Sequence, residues 1–78
     1  MKTNKITTRE KEVLKLIANE YTTHEIANEL YLSDHTVITH RRNLLRKLDA
    51  KNIGGLIRRA FELRILQVEN QFLNISNI

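Results

Sequence analysis

Residues 33–48, Ser-Asp-His-Thr-Val-Ile-Thr-His-Arg-Arg-Asn-Leu-Leu-Arg-Lys-Leu, constrain the fold most tightly. Wound as a helix at about 100° per residue, they have two chemically distinct sides. Val37, Leu44 and Leu48 share one. His35, Ile38, Thr39, Arg42 and Arg46 share the other. A segment of this kind is pinned by its apolar stripe and shows polar and cationic groups outward. That shape and chemistry are what the DNA major groove admits.

The rest of the chain reads as helices joined by tight turns. There is no Pro, and the two glycines are adjacent at Gly54-Gly55, which argues against an all-β fold. Thr7-Thr8-Arg9-Glu10 has the form of a capping box and opens a helix to about Asn19, with Val13, Leu14 and Ile17 inward. Thr22-Thr23-His24-Glu25 repeats that signature. It starts a short helix through Leu30 whose apolar side is Ile26, Ala27 and Leu30. Tyr31-Leu32 forms a turn, and Ser33 caps the third helix, which runs to about Leu48. Asn52 caps a fourth helix expected to reach Leu66. Its stripe Leu56, Ala60 and Leu63 completes the core. A second stripe on that helix, Ile53, Ile57 and Phe61, is offset by one residue and is the expected partner surface.

The predicted fold class is therefore all-α: a four-helix domain containing a helix-turn-helix. Residues 1–6 read as an N-terminal arm or linker, 7–66 as the domain, and 67–78 as a C-terminal tail. At 78 residues the chain holds one small core, and with no cysteine neither disulfides nor thiolate metal sites reinforce it.

Charge is unevenly placed. The net charge is +4, but residues 35–64 hold eight Lys/Arg against two Asp/Glu. A basic block in the second half suits a polyanion. No apolar run approaches the roughly 20 residues that span a bilayer. The N-terminus lacks the apolar stretch of a signal peptide, so the cytoplasm is the expected compartment. His24, His35 and His40 show no metal-ligand spacing. No Gly-rich phosphate loop, nucleophile elbow or paired-carboxylate site is present, so no catalytic, metal or cofactor site is expected.

Several separated segments resemble a known family: Thr8-Arg9-Glu10-Lys11-Glu12-Val13-Leu14, Glu25-Ile26-Ala27 with Leu30, Leu32-Ser33, Thr36-Val37 with His40, and Lys47-Leu48. Together, over residues 6–66, they resemble the LuxR-type (GerE-type) helix-turn-helix domain of bacterial transcription regulators. The resemblance implies a four-helix DNA-binding domain whose third helix enters the major groove and whose fourth often mediates dimerisation. Three positions depart from it. Glu20 and Arg64 stand where the family commonly has Gly, and Ile38 stands where Lys is common, which removes a cation from the outward side.

Arg42 is expected to reach base edges or phosphates, Arg46 the backbone, and Ile38 and Thr39 the groove, with His35 beside them. Thr36, Thr23 and His24 are candidates for phosphate contact near helix N-termini. Lys47, Lys51 and Asn52 are candidates at the far end. Arg41 should pack its stem inward, and Glu25 is expected to cap its helix and brace Arg41 or Arg42. The expected partners are double-stranded DNA, a second copy of the chain through Ile53, Ile57 and Phe61, and RNA polymerase. Two other readings stay open: a promoter-binding module like region four of a sigma factor, and a helical protein-interaction module with no nucleic-acid role.

Overall fold

The computed structural model describes residues 5–68; the rest of the expected arm and tail lies outside them. Four helices follow in order: α1 (Thr8–Ala18), α2 (Thr23–Leu30), α3 (Asp34–Lys47) and α4 (Ile53–Glu62). Among the described residues there is no strand. The four expected N-caps are in place. Thr7, Thr22, Ser33 and Asn52 each have extended backbone and accept a hydrogen bond from the amide three residues on. The first two complete capping boxes, with Glu10 and Glu25 accepting from the cap amides at 3.0 and 2.8 Å. A cap of this kind contributes about 1 kcal/mol.

The helix C-termini share a feature that composition hides. Each is followed by a residue with left-handed backbone, and none of the four is glycine: Glu20 (φ 69), Tyr31 (φ 58), Asp49 (φ 56) and Arg64 (φ 62). The amide after each reaches back five residues, Tyr21 to Leu16 O, Leu32 to Ala27 O, Ala50 to Leu45 O and Ile65 to Ala60 O, at 2.8–3.0 Å. These are Schellman closures, which satisfy the last carbonyls and turn the chain sharply. At Tyr31 the closure makes the tight turn between α2 and α3.

α3 is the hub, packed against α1, α2 and α4. Val13, Leu14 and Ile17 of α1, Ile26 and Ala27 of α2, Val37, Leu44 and Leu48 on the α3 side, and Leu56 and Ala60 of α4 form the core. Leu30, expected in the core, is half-buried at its edge.

One expectation is corrected, at the end of α4. α4 stops at Glu62 instead of reaching Leu66, because Arg64 reverses the chain. The reversal leaves Leu63 50% exposed and folds Leu66 back onto the core at 5%. Leu66 thus takes the place that helical spacing assigns to Leu63. At the other end, the last part of the arm is docked. Ile6 packs against the core, and the Lys5 carbonyl accepts a hydrogen bond from Lys47.

Candidate nucleic-acid interface

The buried stripe of Val37, Leu44 and Leu48, each at most 2% exposed, fixes the rotation of α3. It turns His35, Ile38, Arg42 and Arg46 to the exposed side and leaves Thr39 half-buried at its border. The structure therefore brings these five predicted residues together on one face.

Pairing then separates the cations. Lys47 is the clearest case. Its Nζ donates to Glu10 Oε1 at 2.8 Å and to the Lys5 carbonyl at 2.9 Å, and its side chain is only 15% exposed. It ties α3 to the start of α1, with two of its three ammonium donors committed inside the domain. Burial alone raises the Glu10 pKa, but the hydrogen bonds from Lys47 and Thr7 and the Lys47 charge outweigh it. The carboxyl titrates below its ordinary value of 4.5. Arg58 and Arg59 pair with Glu62 at 2.9 and 3.4 Å, and Arg59 Nε also donates to the Leu48 carbonyl. Among the described residues Arg42, Arg46 and Lys51 form no ion pair, so their charge is free to meet a polyanion.

The expected brace from Glu25 to Arg41 or Arg42 does not form. The Glu25 carboxylate is engaged in the capping box with Thr22, which lies close in sequence and orients it along α2. Arg41 is half-buried, as its place beside the stripe predicts. His40 is half-buried as well.

The N-termini of α2 and α3 meet through side chains. His24 Nδ1 donates to Asp34 Oδ1 at 3.0 Å, across the helix-turn-helix. His24 is thereby held against an acidic neighbour with its side chain 72% exposed. Thr23 is half-buried in the first turn of α2. Ser33 Oγ donates to Thr36 Oγ1 at 2.9 Å, so Thr36 accepts locally and keeps its own hydroxyl proton to give. Asn52 Oδ1 caps α4 by accepting from the Gly55 amide at 2.9 Å. With Lys51 and Arg58 it lines an open groove beside the α3–α4 connection.

Ile53, Ile57 and Phe61 also differ from expectation. They are half-buried and packed against the core, so the offset stripe gives only part of its surface to any partner. Among the described residues no group of His, Cys, Asp and Glu is placed to hold a metal ion. No described helix is long and apolar enough to cross a membrane.

A hub helix with an unpaired cationic face, set behind a tight turn and a shorter bracing helix, defines the class: a DNA-binding helix-turn-helix domain of a transcription regulator. Comparison with known proteins agrees and is more specific. Residues 4–60 match the family model for bacterial regulatory proteins of the luxR family, and the chain belongs to that family. It is 45% identical over 65 residues to the uncharacterized response regulatory protein YgeK of Escherichia coli (strain K12), covering 83% of this chain and 44% of that protein. It is 46% identical over 46 residues to the spore germination protein GerE of Bacillus subtilis (strain 168), covering 59% of this chain and 62% of that protein. The solved structure of the transcription factor GerE superposes with a TM-score of 0.76 at 30% identity, over 81% of this chain and 94% of that one. The chain thus spans less than two thirds of the length of both curated relatives. The match supports the transcription-regulator reading over the sigma-like and protein-interaction alternatives.

Proposed function

We propose that this chain binds double-stranded DNA sequence-specifically, with α3 lying in the major groove, as the output domain of a bacterial transcription regulator. One observation carries the reading. Arg42 and Arg46 are exposed and free of acidic partners on the face of α3 opposite a fully buried stripe. Arg42 is assigned to base edges or deep phosphates, since its planar fork matches guanine or phosphate. Arg46 is assigned to the backbone, and His35, Ile38 and Thr39 to the groove. Thr23, His24 and Thr36 sit where the helix N-termini meet the phosphates. Lys51, with Asn52, grips a phosphate at the far end. Two copies bind two half-sites, meeting through the exposed parts of Ile53, Ile57 and Phe61. DNA as the ligand makes the cytoplasm its place of action and RNA polymerase the neighbour it meets at a promoter. No catalytic role is assigned.

The test is selection of bound sequences from a random duplex library at two salt concentrations, repeated with Arg42→Ala. A motif that survives the higher salt, two-fold if the dimer forms, is the expected result. Arg42→Ala should then weaken binding by about 1–3 kcal/mol and relax one base position. Binding that vanishes with salt and selects nothing leaves only a generic basic surface and refutes the reading.

A further inference from the structure

Resting on that reading, we propose that Ile38, together with the methyl group of Thr39, recognises the C5-methyl group of thymine in the major groove. Ile38 is 43% exposed, in a helix whose other aliphatic side chains are buried or half-buried. It lies between His35 and Arg42 on the outward side, within the arc proposed to enter the groove.

The hydrogen-bond pattern around it removes a hydroxyl donor from this part of the face. Thr39 Oγ1 donates its proton to the His35 carbonyl at 3.1 Å, one turn back in the same helix. Its donor is spent on the backbone, which leaves its methyl group and an acceptor oxygen. Ser33 Oγ, at the helix start, is likewise spent on Thr36. Hydrogen-bond donation thus falls to His35 and to Arg42, while Ile38 and Thr39 present hydrocarbon. In the major groove the one apolar feature on a base edge is the thymine methyl. An exposed isoleucine therefore discriminates by what it covers, and burying one methyl group against it is worth about a four-fold change in affinity.

The experiment starts from the site selected by the full chain. Each thymine in that site is replaced singly by deoxyuridine, which removes the methyl and nothing else. Wild type, Ile38→Ala and Thr39→Ser are compared by competition binding. Ile38 is outside the core, so Ile38→Ala should fold, which thermal unfolding checks. The expected result is at least one thymine per half-site where uracil weakens wild-type binding about three- to five-fold. At that position Ile38→Ala should bind thymine and uracil duplexes alike, with Thr39→Ser giving a smaller loss of discrimination. A selected site that contains no thymine, tolerates uracil throughout, or keeps its uracil penalty in both variants overturns this proposal and leaves DNA binding standing. A chain that selects no site overturns both.

Discussion

Replacing Glu20 with glycine should stabilise the domain, although no side-chain contact is gained. Glu20 has φ 69 and closes α1, with its amide bonded to the Ile17 carbonyl at 2.9 Å and the next amide to Leu16. A residue with a Cβ in this conformation costs about 1–2 kcal/mol relative to the right-handed region, and glycine does not incur that cost. Glycine also widens the unfolded ensemble, which takes back about 0.4–1 kcal/mol. The net gain is about 0.5–1 kcal/mol. For a domain of this size that raises Tm by roughly 2–8 °C. Thermal unfolding followed by far-ultraviolet circular dichroism measures it. The Glu20 carboxylate also sits at the negative end of the α1 dipole, so charge alone could produce a gain. Glu20→Ala separates the two causes, since it removes the charge and keeps the Cβ. An unchanged or lower Tm in Glu20→Gly refutes the backbone argument, as does a rise in Glu20→Ala equal to that in Glu20→Gly. Arg64→Gly, at φ 62, should repeat the result at the end of α4.

Lys47→Met leaves the Glu10 carboxylate buried without its cation and should cost about 3 kcal/mol of stability, while the salt dependence of DNA binding by the folded protein stays unchanged. A salt slope that falls by about 1 in Lys47→Met would put Lys47 on the DNA after all. Since the folded-state pKa of Glu10 is lowered, its contribution is complete above the ordinary value of 4.5 and fades as pH falls through the folded value. Denaturation across pH 3–6 should therefore show an acid loss of stability that shrinks in Glu10→Gln; curves of equal steepness would contradict the assignment. Leu66→Ala should cost about 2–4 kcal/mol and Leu63→Ala less than about 0.5, as chemical denaturation can compare; the opposite order would restore the longer helix.

The helix starts were legible because capping is local chemistry. A Thr, Ser or Asn side chain bonds an amide three residues away, and the residue type announces it. The ends of α1, α2 and α3 lie within a residue of the expected places, but the end of α4 was not legible, because a left-handed residue announces itself chiefly when it is glycine. This chain puts Glu, Tyr, Asp and Arg there and places its glycines in the first turn of α4, neither with positive φ. The error at Leu63 follows directly. Helical spacing continued through Arg64 makes Leu63 a core residue, and only the closure at Arg64 exchanges it for Leu66. The departures from the family pattern at Glu20 and Arg64 were the available signal. Both positions keep the left-handed backbone that a glycine would suit and carry a side chain regardless.

The interface was legible to the same depth. Helical periodicity alone puts Arg42 and Arg46 opposite Val37 and Leu44, so their exposure follows from local spacing. The fate of Lys47 does not, since its partner Glu10 lies 37 residues away and is reached only once α1 packs on α3. The structure thus divides the basic block of residues 35–64 in a way that its net charge conceals. Lys47 pairs with Glu10, and Arg58 and Arg59 share the one carboxylate of Glu62. Among the described residues Arg41, Arg42, Arg46, Lys51 and Arg64 form no ion pair. Of the five, Arg42, Arg46 and Lys51 lie on the proposed interface, so about three phosphate neutralisations per domain is the electrostatic scale, for a salt slope near −2.7 per domain. So small a non-specific term leaves much of the affinity to contacts that depend on base identity, which is the balance a sequence-reading helix requires.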